Sequence, residues 1–296
     1  MLDLLRALIS WVFLLAAALP VLYFFVLTLA ALRAPRAERV GAGEPPRRIA
    51  VVVPAHNESL LIEETVGAIL AQDYDPENFC LTVIADNCTD DTADKARAAG
   101  ARVIERHDDP GKGQALNCAF EQLLEESWDA FLIVDADSLL HFEGLQALDR
   151  ALKEGAPLVQ LRYGIRNPEA SVRARSAELG LASFNGIRPY GRTVLGMSAS
   201  LFGNGFCISR KVLEEVPYLA HSIVEDLEYH ILALRAGYRV HFSDRAWVSA
   251  QMPTGAEDSK PQRVRWERGR IATIQTYARD LWQRAKGGDR LALEGL

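Results

Sequence analysis

Two carboxylates, Asp135 and Asp137, close a dense apolar run in the stretch LIVDADS, Leu132 to Ser138. On a β-strand, side chains alternate faces, so the two would point the same way and repel each other. Such a pair becomes useful when a divalent cation sits between it and a diphosphate. Mg²⁺ and Mn²⁺ take oxygen ligands and are commonly shared between one or two carboxylates and substrate phosphates. The competing reading is that one aspartate only caps a helix over Ser138 to Glu143. Other stretches carry related chemistry: PAHNE (Pro54 to Glu58), DNCTD (Asp86 to Asp90), PGKGQALN (Pro110 to Asn117), VEDLEYH (Val224 to His230) and QRVRW (Gln262 to Trp266). Lys112, between two glycines ahead of a helix, can meet phosphate oxygens together with free backbone N–H groups. QRVRW sets an amide, a guanidinium and an indole on one helical turn.

The elements that must position these residues alternate. Ile49 to Val53, Cys80 to Asp86, Arg102 to Glu105 and Ala130 to Asp137 read as strands. Helices are predicted from Ser59, over Thr89 to Ala99, and over Gln114 to Glu125, the first capped by Ser59. Continuous apolar strands alternating with helices imply an α/β fold with a mostly parallel sheet covered on both faces. Ligands of such sheets sit beyond the carboxyl ends of the strands, where three acidic motifs fall on one rim. Asp90 alone reads equally well as a turn or cap. The rim lacks G-x-G-x-x-G and G-x-x-x-x-G-K-S/T, which argues against a dehydrogenase and an NTPase.

Composition narrows the classes further. With 296 residues, 49% of them hydrophobic, the chain can bury a sizeable domain, and a net charge of −6 argues against a nucleic-acid partner. The four cysteines lack paired short spacings, so neither a zinc site nor a disulfide framework is indicated, and reduced thiols in a cytosolic compartment are expected. The six histidines show no H-x-x-x-H or H-E-x-x-H spacing.

Residues Ala7 to Leu32 carry no charge, and 26 helical residues extend about 39 Å, more than the hydrocarbon core of a bilayer. A cleaved signal peptide is the competitor, with AAALP resembling a cleavage site, but the apolar run is too long for one. Arg33, Arg36, Arg39, Arg47 and Arg48 follow the span and only Arg6 precedes it, which places the large domain on the cytoplasmic side of the inner (plasma) membrane. The expected organisation is an anchor with its flanks over 1–40, a Gly/Pro-rich linker over 41–48, a catalytic domain over 49–250, and a C-terminal segment over 251–296. Between Gln262 and Lys286, seven basic residues face two acidic ones with aromatic and aliphatic residues between, the make-up of an amphipathic helix on an anionic leaflet. A surface helix packed on the domain is the alternative.

In this order, PAHNE, DNCTD, GKGQALN, DADS, GNG, ED and QRVRW resemble the membrane-bound family 2 glycosyltransferases, over roughly Ile49 to Arg270. These include the synthases of cellulose, chitin, hyaluronan and poly-N-acetylglucosamine, and the ceramide glucosyltransferases. The resemblance implies a GT-A fold that binds a UDP-sugar and transfers the sugar with inversion. It implies that Ala55, Glu58, Asp86, Lys112 and Asp135 bind the nucleotide-sugar, with Glu58 at ribose and Asp86 at uracil. Asp137 would be the principal ligand of Mg²⁺ or Mn²⁺, with Asp135 beside it. Asp226 would be the general base, oriented by Glu225, and Arg265 would neutralise the leaving diphosphate. Asn204, Gln262 and Trp266 would form the acceptor site, although relatives often carry a cysteine-containing version of the FGNG loop, Phe202 to Gly205.

Processive relatives follow Q-x-x-R-W with several membrane helices that form an exit for the polymer. A single span cannot enclose a pore, so either the sequence is a fragment of a longer synthase or the enzyme glycosylates an acceptor presented at the cytoplasmic face without exporting it, and any export would need more chain or a partner. The acceptor expected first is a growing polysaccharide at the cytoplasmic face. Transfer of one sugar to a lipid acceptor is the alternative, and a nucleotide sensor with a dead site is a more distant one. A pyrophosphorylase would want a basic Gly-rich loop after the first strand, where PAHNE is acidic.

Overall fold

The computed structural model describes residues 2–33, 44–219, 222–251 and 260–295. Much of the linker, His221 and the approach to QRVRW lie outside the described residues. The chain opens with helix α1 (Leu2–Leu32), and Ile9–Leu32 is long and apolar enough to cross a membrane. Eight strands follow: β1 (Ile49–Ala55), β2 (Phe79–Asp86), β3 (Arg102–Arg106), β4 (Ala130–Ile133), β5 (Ser138–Leu140), β6 (Leu158–Ile165), β7 (Phe206–Ser209) and β8 (Val240–Ala250). They form one sheet in the order β3-β2-β1-β4-β7-β6-β8-β5. The β3-β2-β1-β4 block is parallel, as is β6 with β8, while β7 is antiparallel to both β4 and β6 and β5 antiparallel to β8.

Alternation along β1 shows why the strands are apolar throughout. Ile49, Val51 and Val53 pack with Ile62, Val66 and Ile69 of α2 (Ile62–Leu70) and with Leu145 and Leu148 of α5 (Gly144–Lys153). Ala50 and Val52 face the other way, against Leu116 and Phe120 of α4 (Lys112–Leu123) and the layer containing Tyr229 of α9 (Glu225–Arg235). Both faces of the sheet are covered here, so Ile49 to Val53 are all buried whichever way they point. The four cysteines are free thiols. Helix α3 (Thr92–Ala98) packs beside α2.

Two local expectations are corrected. Helix α2 starts at Ile62, and Ser59 does not cap it: the Ser59 amide is held by Asp90 at 3.2 Å and the Glu58 amide by Thr92 Oγ1 at 2.8 Å. These bonds tie Glu58 and Ser59 to the next motif before the helix begins. The apolar run ahead of the aspartates also leaves the ladder early. β4 ends at Ile133, and Asp135 to Ser138 is a turn closed by Ser138 N–H donating to Asp135 O at 3.1 Å, which feeds a strand and not a helix.

The region after β6 was not legible as elements. Helix α6 (Val172–Ala182), a π-turn (Ser183–Ile187) and α7 (Arg188–Val194) run on as one rod, and α7 docks against α1. A Cβ on Gly191 would stand 2.3 Å from the Leu27 carbonyl oxygen, so only glycine admits this approach. After α8 (Arg210–Glu215) and α9, helix α10 (Lys260–Lys286) packs through Leu281 and Tyr277 against Ile231 and Leu227 of α9 and Ala292 of α11 (Arg290–Gly295).

Candidate active site

The turn carrying Asp135 and Asp137 is held by side chains that replace the lost ladder partners. The Asp135 amide donates to Asn204 Oδ1 at 3.1 Å, and Asn204 Nδ2 donates to Ser138 Oγ at 2.8 Å. Ser138 Oγ in turn donates to Asp137 Oδ1 at 3.0 Å, and Thr65 Oγ1 donates to the Ala136 carbonyl at 2.7 Å. Asn204 is 2% exposed. Both ends of its amide face the aspartate turn.

Three acids crowd at this rim. Burial and then the nearby Asp135 charge push the Asp137 pKa up, and burial followed by Asp137 and Asp135 does the same to Glu58. Tyr163, a β6 residue not singled out from the sequence, stands beside them, and its hydroxyl pKa is raised by burial and by both aspartates. Mutual repulsion that raises carboxylate pKa values is what a hard cation relieves. Among the described residues no three acids, histidines or cysteines form a complete metal cage. Two carboxylates side by side suit a divalent ion that takes its remaining oxygens from phosphates and water.

Lys112 answers part of this charge. Its ammonium donates to Asp135 Oδ1 at 2.5 Å and to the Gly203 carbonyl at 2.6 Å, and stands 3.7 Å from Glu225 Oε1. Burial pulls its pKa down, but Asp135 and Glu225 outweigh that and leave it raised. Asp226 is raised by burial first, while the Leu227 amide, which donates to Oδ1 at 2.8 Å, and Lys112 pull it back. Gly203, at φ +75°, has the Asp226 carboxylate against its Cα: a Cβ there would be 3.2 Å from Oδ2. The loop is fixed from beneath by Gln160, whose Oε1 accepts from Phe202 N–H at 2.9 Å and whose Nε2 donates to Asn204 O at 2.8 Å. A lone glutamine inside the apolar strand LVQL was the available signal for it.

Asp86 is 5% exposed and both its oxygens are engaged. Arg106 donates to Oδ1 at 2.7 Å, Asn87 to the same oxygen at 3.0 Å, and the Gly111 amide to Oδ2 at 2.9 Å. The second motif thereby positions the loop that delivers Lys112, a link that sequence spacing did not show. Asn57 and Asn87 turn their strand ends at φ 56° and 51°, and Asn57 Oδ1 accepts from Thr89 N–H at 2.8 Å, joining the first two motifs. Ala55 closes β1, buried under the same rim.

The QRVRW segment lies at the start of α10. A Cβ on Gly269 would meet Val224 at 3.0 Å, which sets this end of the helix against the segment leading into Glu225 and Asp226. Arg265, one turn earlier on the same face, is exposed, as is Trp266 at 41%. Gln262 lies in the first turn of the helix, and its side chain is outside the described residues. Neither Arg265 nor Trp266 bonds to the Lys112 cluster among the described residues.

Known proteins resemble this chain in both sequence and fold. The profile of the family described as "Glycosyltransferase like family 2" matches residues 45–269. The chain is 27% identical over 233 residues to a probable glycosyltransferase, YdaM, of Bacillus subtilis, covering 75% of this chain and 55% of that protein. It is 25% identical over 228 residues to a poly-beta-1,6-N-acetyl-D-glucosamine synthase of Staphylococcus aureus, covering 75% and 54%. The chain thus spans about half the length of these curated relatives. Among solved structures, a mannosyltransferase of Pyrobaculum calidifontis in complex with GDP-Man and Mn²⁺ superposes with a TM-score of 0.65 at 20% identity, over 90% of this chain and 75% of that one. A glucosyl-3-phosphoglycerate synthase of Mycobacterium tuberculosis in complex with Mn²⁺ and UDP-glucose gives 0.52 at 25% identity, over 86% and 82%.

Proposed function

The chain belongs to the glycosyltransferase-like family 2, and from that premise we propose that it moves a sugar from a UDP-sugar to a hydroxyl of a growing polysaccharide at the cytoplasmic face of the membrane, with inversion. The observation that carries the reading is the Lys112 ammonium, 2.5 Å from Asp135 and 3.7 Å from Glu225. The contact supports a reading in which aspartates suited to a metal diphosphate stand near acids suited to an acceptor. Donor and acceptor chemistry thereby share one rim.

In this reading Glu58 and Asp86 hold the nucleoside, Asp86 through an oxygen it shares with Arg106 and Asn87. Asp137 and Asp135 hold Mg²⁺ or Mn²⁺, which when bound supplies positive charge to the diphosphate. Asp226 takes the proton of the acceptor hydroxyl as that oxygen attacks the anomeric carbon. Its burial disfavours the charged form, which makes the carboxylate more basic than one in water, while the Leu227 amide and Lys112 pull part of that shift back. In this reading Arg265 on α10 meets the leaving diphosphate, and Trp266 offers its exposed face to an acceptor sugar. The helix α1 anchors the catalytic domain to the membrane.

A panel of UDP-sugars assayed for UDP release identifies the donor. Asp226→Asn is expected to lower turnover by about 10²- to 10⁴-fold with UDP and Mn²⁺ binding preserved, whereas Asp137→Ala loses both. Near wild-type turnover in Asp226→Asn would remove the base assignment, and no UDP release from any donor would remove the UDP-sugar reading.

A further inference from the structure

Gln160 of β6 is fully buried, and its cross-strand partners are Phe206 of β7 and Phe242 of β8. An amide in such surroundings is costly unless its polar atoms are bonded. Its Oε1 accepts from the Phe202 N–H at 2.9 Å, and its Nε2 donates to the carbonyls of Asn204 at 2.8 Å, Leu161 at 2.9 Å and Gly205 at 3.2 Å. All but the Leu161 bond end on the loop from Phe202 to Gly205.

That loop has few other supports. Gly205 joins the sheet, its N–H donating to Ile133 O at 2.9 Å and its carbonyl accepting from Leu161 N–H at 2.8 Å, and upstream Ala199 N–H donates to Val240 O at 2.7 Å. Between them, from Ser200 to Asn204, no backbone–backbone hydrogen bond is made among the described residues. Side chains therefore set the path of this segment. The same segment reaches both halves of the rim: Asn204 Oδ1 accepts from the Asp135 amide at 3.1 Å, while Gly203 O accepts from Lys112 at 2.6 Å and the Asp226 carboxylate stands against the Gly203 Cα.

We propose that Gln160 is a positioning residue for sugar transfer: through Phe202 to Gly205 it sets the separation between the turn carrying Asp135 and Asp137 and the carboxylate of Asp226. The inference rests on the transfer chemistry proposed above, and Gln160 itself touches no substrate. Its amide holds the backbone on both sides of Gly203, at Phe202 and at Asn204, so losing it frees the Lys112 contact and the Asp135 contact together. Donor and base then lose their common reference. A misplacement of about 1 Å between reacting groups costs on the order of a hundredfold in rate.

The test uses the full chain in detergent, with UDP release, UDP and Mn²⁺ binding, and thermal unfolding read on the same samples. Gln160→Met keeps the volume and removes the bonds. Its kcat is expected to fall about hundredfold, while the affinity for UDP with Mn²⁺ falls by less than about tenfold. Gln160→Glu keeps the acceptor for Phe202, and burial holds its carboxyl protonated with one donor to share, so it is expected to recover about tenfold of that kcat. A near wild-type kcat in folded Gln160→Met overturns the role, as do equal losses of kcat and affinity, or no recovery in Gln160→Glu. If Gln160→Met does not fold, Gln160→Glu is compared with wild type directly: a kcat about tenfold lower with unfolding temperature kept upholds the role, and an unchanged kcat overturns it. A wild type that releases no UDP from any donor removes the transfer reading instead. Amide hydrogen exchange then reads the loop alone: faster exchange at Asp135 in either variant upholds the coupling, and unchanged exchange overturns it.

Discussion

At the scale of the residue, Lys112 decides how the rim behaves. Its charge lowers the pKa values of Asp137, Glu225 and Asp226, each of which burial raises. A carboxylate base loses activity as pH falls through its pKa, so a raised Asp226 places the acid limb of kcat/KM above the ordinary aspartate range. Removing the ammonium raises that pKa further. Lys112→Met is therefore expected to move the acid limb to higher pH and to cost on the order of a hundredfold in kcat/KM, while Lys112→Arg keeps the limb closer to wild type. A pH profile of Lys112→Met superposable on wild type would separate Lys112 from the base. Residue types at this rim were legible from sequence, because acids at strand ends and a lysine between glycines are unusual together. Their bonding was not: Arg106, Gln160 and Thr65 act through contacts with residues far away in the chain.

At the scale of the element, α7 and α9 connect the rim to the anchor. Gly191 lets α7 meet the α1 backbone, and Gly180 on α6 has open space around it. Gly191→Ala should destabilise the fold by about 1–3 kcal/mol through overpacking, and Gly180→Ala should stabilise it by about 0.5–1 kcal/mol. Thermal unfolding of both variants in one detergent checks this, and equal shifts would deny the close approach. Deeper in, His230 of α9 is buried against Ser198 Oγ at 3.2 Å. Burial first, then Arg192 and Arg188, lower its pKa from 6.5 to about 4. The unfolded chain takes up this proton sooner than the folded one, so stability is full above pH 6.5 and falls as pH drops toward about 4. The loss is on the order of 2–3 kcal/mol. His230→Gln is expected to flatten that part of the stability profile in denaturant titrations, and an unaltered slope would place the titration elsewhere.

At the scale of the whole molecule, α10 packs on the domain along one side and leaves apolar residues bare along another. One side packs on α9 and α11 through Leu281 and Tyr277. Another side carries Val264, Ile271, Ile274 and Trp282, all exposed, with Ile274 at 58%, and their spacing keeps them on one stripe. Arg268, Arg279 and Lys286 flank that stripe on the helical wheel, the arrangement suited to an anionic leaflet. In vesicles of anionic lipid with brominated acyl chains, wild-type tryptophan fluorescence is expected to lose a quenched component in Trp282→Phe. Identical quenching in the two proteins would leave the stripe in water. If it lies in the leaflet, α1 and α10 give the catalytic domain two points of attachment.

The sequence by itself determined the α/β class, the apolar first helix and the set of acidic strand ends, because burial on both faces of a sheet and acids held at its rim leave marks in composition and spacing. The family was legible for the same reason, since its motifs keep their order along the chain. Tertiary structure alone decided that Asp135 and Asp137 sit on a turn, because their ladder partners are replaced by Asn204 and Thr65 from distant segments. It also decided that Asn204 serves the aspartates, that Asp86 holds the Lys112 loop, and that α7 docks on α1. Each of these is a contact between residues dozens of positions apart or more, and the pattern of a single segment carries no record of what will fold against it.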